Sequence, residues 1–328
     1  MMQFDRMALG RQAKELGFVR DTFEKVCRLA DVLKFFEGDD LLSEYLALKG
    51  GTAINLTILD LPRLSVDIDL DFSKNMPREE MLEVREMLSS RISKYMEANG
   101  YRLSPKSKNH HALDSFVYEY QNAGGMKDNL KIEINYMLRC HVLPVVRRKV
   151  YLPWMTDELT VLSVDPIEIF GAKIVALLTR TATRDLYDVH NMITHELFDE
   201  SQLDMLRKCV VFYSAIGGEH PPKEFAIENV GKVTKRSITT DLYPVLRHGE
   251  RFELTAVQNE VRTYLSGFLN PTKEEQIFWS AFEKGIYEPQ FVFEGAELQR
   301  IKEHPMALWK CRSKEQNIKT EPVKGRVR

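Results

Sequence analysis

The chain has 328 residues and a mass of 38.1 kDa, which is long for one domain and comfortable for two. Hydrophobic residues make up 44% and charged residues 29%, a composition that supports a packed core and excludes a disordered or collagen-like chain. The 46 basic and 48 acidic side chains leave a net charge of −2, so charge alone neither indicates nor excludes a nucleic-acid partner.

Two further features bear on the cellular compartment. No apolar run approaches the ~18 residues that a membrane helix needs, and the beginning of the chain lacks the apolar stretch of a signal peptide. The four cysteines lie far apart and form no CxxC pair, so they predict free thiols and not a zinc site or a disulfide framework. We therefore expect a cytoplasmic protein without a membrane partner.

The N-terminal segment, residues 1–37, is predicted to be helical. Apolar side chains recur at helical spacing over residues 21–36. Asp21 is a candidate N-cap, and Glu24 follows three residues later as in a capping box. A polar turn at residues 37–40 is expected to end this helix.

Residues 38–197 show a pattern of alternating strands and helices. A short apolar stretch is followed by the Gly50-Gly51 pair, a short helix, and a strand at residues 65–72 whose side chains alternate between polar and apolar. Further along, the sequence predicts a helix at 77–99, an antiparallel hairpin at 115–120 and 130–138, and helices at 166–181 and 184–195.

The rest of the chain lacks strand alternation of comparable quality, and residues 198–309 predict a helical C-terminal domain. One helix is expected at residues 271–284, with Asn270 as its cap and Pro271 at its first position. Residues 310–328 carry seven basic and two acidic side chains and few apolar ones. This composition predicts a flexible basic tail.

The strongest chemical signal is the sequence KGGT at 49–52 followed by RLSVDIDLD at 63–71. Asp67 and Asp69 are two apart on a strand, so they point to the same side with Cα atoms roughly 6.6 Å apart. Such a pair suits divalent cations that clamp a phosphoryl group, and a Gly-Gly turn lets backbone N–H groups approach a phosphate. The alternative is the solvated face of an edge strand, but the coupling of the two sequences favours a functional site.

A third carboxylate is expected from the second strand of the hairpin. Glu133 lies on the polar face of that strand, which is predicted to pair near residues 65–72. Glu133 is therefore a candidate metal ligand. The alternative is an exposed strand glutamate beside Lys131.

A second cluster comprises Lys173, Arg180, Arg184, Asp185 and Asp188. Lys173 and Arg180 are seven apart and share one helical face, and Lys173 lies within an apolar stretch. A partly buried lysine needs an anionic partner, and a nucleotide phosphate is one. The alternatives are a lysine paired to Glu168 or Asp188, and a simple helix ion pair between Arg184 and Asp188.

Other chemistries lack their characteristic sequences. The patterns GxGxxG, GxxxxGK[ST] and GxSxG are absent, which argues against Rossmann, P-loop and α/β-hydrolase sites. His190 and His195 lack the intervening glutamate of HExxH, so they predict ordinary helix residues and not zinc ligands.

These residues resemble a known family. KGGTAINL followed by RLSVDIDLDF is similar to the AbiEii-like nucleotidyltransferases, the toxins of type IV toxin–antitoxin systems in bacterial abortive infection. The wider resemblance is to the polymerase-β-like nucleotidyltransferase superfamily, and Lys173 with ALLTRTATRDLYDVHNMI resembles the family's second signature. The resemblance implies an α/β (α+β) fold, with a mixed, mainly antiparallel sheet in residues 38–197 and a helical C-terminal domain.

The resemblance also implies the roles of individual residues. Asp67 and Asp69 would hold Mg²⁺ or Mn²⁺, with Glu133 as a third ligand where the superfamily commonly has aspartate. Spacing alone leaves open whether Asp185 or Asp188 is the functional carboxylate. The implied catalytic residues are Asp67, Asp69, Lys173, Asp185 and Asp188. The implied nucleotide-binding residues are Lys49, Gly50, Gly51, Thr52, Arg63, Ser65 and Arg184.

The implied reaction is metal-dependent transfer of a nucleoside monophosphate from an NTP to an acceptor hydroxyl. RNA, and tRNA in particular, is the acceptor ranked first, followed by a protein hydroxyl and then a small molecule. A cognate antitoxin is an expected partner. The alternative from another class is a non-catalytic protein that binds a nucleotide or RNA and acts through contacts with a partner.

Overall fold

The computed structural model describes residues 4–155 and 158–320, with side chains as far as residue 314. Its helices are α1 (Arg6–Leu16), α2 (Arg20–Gly38), α3 (Asp40–Tyr45), α4 (Gly50–Ala53), α5 (Arg78–Ala98), α6 (Pro166–Arg180), α7 (Thr183–Thr194), α8 (Glu200–Gly217), α9 (Lys235–Ser237), α10 (Leu254–Phe268), α11 (Lys273–Glu283), α12 (Gly295–Ile301) and α13 (Pro305–Thr320). Its strands are β1 (Leu46–Lys49), β2 (Asp67–Phe72), β3 (Arg102–Leu103), β4 (Lys108–Asn109), β5 (Leu113–Gln121), β6 (Lys127–Asn135), β7 (Val146–Lys149) and β8 (Thr160–Ser163).

The strands form one mixed sheet in the order β3-β5-β6-β2-β1-β8-β7, with β4 paired to β5. Strand β2 runs parallel to β6 and β1 runs parallel to β8, while the other paired strands are antiparallel. The predicted mixed, mainly antiparallel sheet is therefore confirmed. Strand β2 lies between β1 and β6, and its register places Asp69 opposite both Lys49 and Glu133.

Local sequence explains the elements that frame this part of the sheet. Strand β6 buries Leu130, Ile132 and Ile134, and the residues between them are more exposed, as the period of two requires. Helix α6 begins after Asp165, whose side chain accepts a hydrogen bond from the backbone N–H of Ile167. The predicted hairpin and the predicted helix at 166–181 are thus present.

The core runs on from the sheet into the C-terminal helices. One large apolar cluster joins the sheet to the N-terminal helices and reaches Leu269 in the C-terminal half. A second cluster packs α8 against α11 and α13. Near the boundary predicted at residue 198, the Phe198 ring packs on Phe170 of α6 at 5.7 Å between centroids. The helical half is therefore packed closely on the sheet-bearing half.

The N-terminal helix differs from its predicted start. Helix α2 begins at Arg20, and Val19 stands at its cap without a side-chain hydrogen bond. Glu24 does not close a capping box, because its buried carboxylate accepts hydrogen bonds from Arg28 at 2.9 Å and from the backbone of Ala123 at 2.9 Å. Tertiary partners thus replace the local cap. The predicted turn at 37–40 is the short break before α3.

The C-terminal half also shows differences. Thr272, and not Asn270, caps α11, because its hydroxyl and the Glu275 side chain form a reciprocal capping box. The segment from Lys310, predicted to be a flexible tail, is helical as far as Thr320, and Cys311 is buried against α11 and α8. The remainder of that segment lies outside the described residues.

Two expectations about the whole chain concern membranes and thiols. Among the described residues, no helix has the length and apolar character required to cross a membrane. All four cysteines, Cys27, Cys140, Cys209 and Cys311, are free and buried.

The sequence does not predict strands β7 and β8. Each strand has only four residues, which are too few for an alternation of polar and apolar side chains to indicate a strand.

Candidate active site

The Gly-Gly turn, which follows β1 and forms the start of α4, lies directly against strand β2. Gly50 has a φ of +67°, and a Cβ atom at this position would lie 2.7 Å from Oδ2 of Asp69. A Cβ atom on Gly51 would lie 3.0 Å from both Nη2 of Arg63 and Oγ of Ser65. Only glycine fits both the backbone conformation and the approach at residue 50. The backbone of the turn is therefore held close to a carboxylate, a guanidinium and a hydroxyl.

Hydrogen bonds tie the turn to β2 and to the loop before it. The buried Thr52 hydroxyl donates to the backbone carbonyl of Asp67. The Asn55 amide donates to the carbonyl of Gly51 at 2.8 Å, and its oxygen accepts from the backbone N–H of Arg63 at 3.3 Å. These hydrogen bonds therefore hold the two sequence motifs, at 49–52 and 63–71, next to each other.

Three aspartates of β2 lie on the side of the sheet that faces this turn. Asp67 and Asp69 are half-buried, whereas Asp71 is buried and forms an ion pair with Nζ of Lys49. Burial raises the pKa of the Asp69 carboxyl, Lys49 opposes that shift, and the carboxylates of Asp67 and Glu133 add to it. Since β2 is a central strand, the alternative of a solvated edge strand is wrong.

Glu133 lies across from Asp69, as predicted, but its carboxylate is already engaged. Nζ of Lys131 lies 2.8 Å from Oε2 of Glu133. Burial lowers the pKa of Lys131, but the hydrogen bond to Glu133 and the charges of Asp67 and Asp69 outweigh it and raise the pKa. Within the described part of the chain, no three His, Cys, Asp or Glu side chains are grouped closely enough to hold a metal ion. The metal role of Glu133 stays a prediction.

A second group of charges comes from α6 and α7 and meets the loop before β2. The two buried carboxylates of α7 each bind an arginine with both oxygens. Asp188 accepts from Nε and Nη2 of Arg63 at 2.8 and 2.7 Å. Asp185 accepts from Nε and Nη2 of Arg180 at 2.7 and 2.8 Å. Bidentate pairing of this kind fixes geometry as well as charge.

Lys173 of α6 reaches both carboxylates of α7. Its Nζ lies 3.0 Å from Oδ1 of Asp185 and 3.1 Å from Oδ2 of Asp188. Burial raises the pKa of Asp185, but the hydrogen bonds from Arg180 and Lys173 outweigh it and hold the pKa below its usual value. This group of charges contains three cations, Arg63, Lys173 and Arg180, and two carboxylates, Asp185 and Asp188. Its net charge is therefore 3 − 2 = +1. Of the two partners that the alternative named for Lys173, Asp188 is in contact with it, and the second partner in the structure is Asp185 and not Glu168.

A cavity of about 300 Å³ lies beside the turn and the charged helices. Lys49 and Gly50 form one side, and Lys173 and Arg180 form another. Its wall also carries the apolar side chains of Leu138, Val164, Ile169, Ala172 and Ala176. Asp71 and Glu168 also line the cavity, so its cationic side chains outnumber its acidic ones by three to two. A cavity with this charge and an apolar wall suits a ligand that carries both an anionic and an apolar part.

The predicted residues are not all brought together. Arg184 lines a separate depression with Lys25, Val66 and Asp128, and it forms no ion pair with Asp188, so that alternative is wrong. The contacts described above link the other predicted residues: Lys49, Gly50, Gly51, Thr52, Arg63, Ser65, Asp67, Asp69, Glu133, Lys173, Asp185 and Asp188.

Sequence reasoning missed some of the supporting groups. Asp71 holds Lys49, and the alternation of aspartates along β2 was the signal for it. Beneath the cavity, the buried Glu168 accepts hydrogen bonds from His141 at 3.2 Å and from the hydroxyl of Tyr213. No spacing in the sequence joins these residues, because they come from three separate elements.

Comparison with known structures gives the fold that the chain shares with other proteins. The chain aligns with MenT4, a nucleotidyltransferase toxin from Mycobacterium tuberculosis, with a TM-score of 0.61 and 17% identity over 93% of this chain and 99% of that one. At that identity the likeness shows the fold. A structure of Cid1 with its short product ApU aligns with a TM-score of 0.29 and 11% identity over 97% of this chain and 95% of that one.

No curated protein matches the sequence. The profile of the family described as nucleotidyl transferase AbiEii toxin, type IV toxin–antitoxin system, matches residues 34–284, which is more than half of the chain. That range contains the turn, strand β2 and both charged helices. The chain therefore belongs to the AbiEii family of nucleotidyltransferase toxins.

Proposed function

We propose that the protein transfers a nucleoside monophosphate from an NTP to a hydroxyl group of RNA, with tRNA as the first candidate. The acceptor hydroxyl gives up its proton to water and its oxygen bonds to the α-phosphorus, while the bond from that phosphorus to the oxygen shared with the β-phosphate breaks and pyrophosphate leaves. The observation that carries the proposal is the close fit of the Gly50-Gly51 turn against Asp69. The fit supports the proposal because the backbone of a glycine turn next to a carboxylate suits the binding of a phosphate with its metal ion.

The residues at the turn fit a divalent metal ion. Mg²⁺ takes one or two protein carboxylates and completes its shell with water and phosphate oxygens. Asp67 and Asp69 supply such a pair, since both are half-buried on the side of β2 that faces the glycine turn, and Glu133 lies opposite Asp69 in the sheet. Mg²⁺ or Mn²⁺ bound there would offset charge on the phosphates.

The protein side chains have separate tasks in this proposal. The backbone of Gly50, Gly51 and Thr52 cradles the triphosphate, with Lys49 and Ser65 beside it. Lys173 supplies the positive charge that is left after Arg63 and Arg180 have matched the two aspartates of α7. That charge lies in a buried setting, where it stabilises a phosphate more than it would in water.

The direct test is transfer from labelled NTPs. The purified chain is incubated with each α-labelled NTP, Mg²⁺ and total RNA, with Asp69→Asn as the control, and the labelled products are separated. We expect one NTP to label RNA with the wild type and none with the control. If only protein is labelled, the acceptor is a protein hydroxyl and not RNA. If no NTP labels any acceptor, the result favours the non-catalytic alternative. As a member of a toxin–antitoxin family, the chain is also proposed to bind a cognate antitoxin.

A further inference from the structure

A groove of about 780 Å³ lies between the start of α5 and helix α13, outside the cavity beside Lys173. Residues that follow β2 and β6 form its base, and α13 forms one wall. The lining residues that matter here are Met76, Arg78, Tyr136, Arg139, Trp309 and Arg312.

The groove carries more positive than negative charge. Three arginines line it, and Glu303 is the one acidic residue among its lining side chains. Arg312 is exposed and has no ion-pair partner within the described ranges of the chain. Arg78 has only a distant contact, 3.8 Å, with the exposed Glu79. Among the side chains described, which extend to residue 314, neither guanidinium group has a close acidic partner.

Arg139 has an unusual environment for a cation. Its Nη1 donates to the carbonyl of Tyr136 at 3.0 Å, but its Nε is buried without a hydrogen-bond partner among the described residues. Burial lowers the pKa of the Arg139 guanidinium. A buried N–H group that lacks an acceptor is costly, and an anion paired with the rest of this half-buried guanidinium would offset part of the cost of burying the cation.

An aromatic surface stands beside these cations. Trp309 is 54% exposed although it lies on a packed helix, and the half-buried Met76 adds apolar surface across the groove. Arginines next to an exposed aromatic ring suit single-stranded nucleic acid, because bases stack on the ring and phosphates pair with the guanidinium groups.

The groove lies next to the candidate active site. Met137 and Arg139 line the groove, while Leu138 between them lines the cavity that Lys49 and Lys173 share. One three-residue segment thus separates the two.

We infer that this groove holds a single-stranded stretch of the acceptor RNA, with a base on Trp309 and phosphates on Arg139 and Arg312. The inference rests on the proposed function, since it assigns the place where the acceptor binds. An acidic protein could also pair with these arginines, but its binding would not require an aromatic ring on which a base stacks. Substitution of Trp309 therefore distinguishes RNA from an acidic protein as the ligand.

The test measures binding of a labelled unpaired RNA oligonucleotide to the full chain by fluorescence anisotropy at several salt concentrations. Trp309→Ala is expected to weaken binding about tenfold or more, and Trp309→Phe is expected to keep most of it. Arg312→Glu is expected to weaken binding and to reduce the log–log salt slope by about 0.7 for each phosphate that the protein no longer neutralises. The matched controls are Tyr243→Ala, an exposed aromatic elsewhere, and Arg11→Glu on α1.

Catalysis and folding are read separately from binding. Thermal stabilisation by Mg²⁺ and NTP should be the same in wild type and groove variants, since the nucleotide site is not altered. Unchanged RNA affinity in Trp309→Ala and Arg312→Glu would overturn the inference, even if RNA is labelled normally and the proposed function stands. If the wild type labels no RNA but the groove variants lose RNA binding, the groove assignment holds and the proposed reaction fails.

Discussion

Asp188 accepts hydrogen bonds from Nε and Nη2 of Arg63, although 125 positions separate the two residues in the chain. The same arginine is the group that a Cβ atom on Gly51 would meet at 3.0 Å. Since Lys173 also contacts Asp188, one buried carboxylate links the glycine turn to helices α6 and α7. This link joins the two motifs that are far apart in the sequence into one site.

The glycine turn should not tolerate a methyl group. Gly50→Ala places a Cβ atom 2.7 Å from Oδ2 of Asp69 and forces an L-residue to a φ of +67°. Strain at positive φ costs roughly 1–2 kcal/mol, and the close approach must also displace Asp69. We expect both a lower free energy of unfolding and loss of nucleotidyl transfer, measured by denaturant unfolding and by label incorporation.

Gly100→Ala is the matched control for this prediction. Gly100 has a φ of +80° but no atom within 4 Å of its added Cβ, so it carries the backbone strain without the close approach. It should lose stability to a similar degree and keep its activity. Normal transfer in Gly50→Ala would show that the approach of the turn to Asp69 does not matter for function.

Much of the site could be predicted because it is local. The aspartates of β2 share one side through the period of two, and the Gly-Gly turn precedes them by a short connection. The sequence could not reveal that Arg63 forms an ion pair with Asp188 and Arg180 with Asp185, because both pairings depend on how α7 packs. The separation of Arg184 from the other charges has the same origin, because the tertiary position of α7 decides which way each residue of its first turns faces.

Loss of the Asp69 charge should abolish transfer without harm to the fold. Burial and neighbouring carboxylates raise the pKa of Asp69, so its ionisation is less favourable in the folded protein than in the unfolded chain. In Asp69→Asn we therefore expect an unchanged or higher melting temperature, no transfer, and no stabilisation by Mg²⁺ with NTP. Asp60→Asn, at an exposed position in the loop before β2, is the control that should behave like wild type. An inactive Asp69→Asn that also unfolds would leave the metal assignment without support.

Lys173 should matter more for activity than for folding. When Lys173→Met removes the lysine, Asp185 keeps Arg180 and Asp188 keeps Arg63. The cost in stability should therefore stay below the roughly 3–5 kcal/mol expected for a fully uncompensated buried charge. Transfer per folded molecule should fall by about 100-fold or more, because a positioned charge toward phosphate is removed. Lys94→Met, at an exposed position on α5, controls for loss of charge. Near-normal turnover in Lys173→Met would remove this lysine from the site.

The stability of the protein should fall with acidification through His304. This buried histidine stands at the start of α13, where its Nδ1 accepts a hydrogen bond from the backbone N–H of Ala307 at 3.4 Å. Burial lowers the pKa of His304 to about 3, against 6.5 for an ordinary histidine. Between these values the unfolded chain binds a proton that the folded chain does not, so stability declines as pH falls below about 6.5. From pH 6.5 to pH 5 the loss from this group amounts to about 2 kcal/mol.

Unfolding in urea at pH 5 and pH 6.5 tests this expectation. His304→Asn keeps a neutral acceptor at the start of α13 and should have a smaller acid loss than wild type, whereas the exposed His111→Asn should not change it. His141 acts in another pH range, because burial lowers its pKa but the bond to Glu168 outweighs burial and raises it. Its contribution is complete below about 6.5 and is lost as pH rises through its folded pKa, so it does not mask the acid effect. Equal acid losses in wild type and His304→Asn would mean that His304 is not the group responsible.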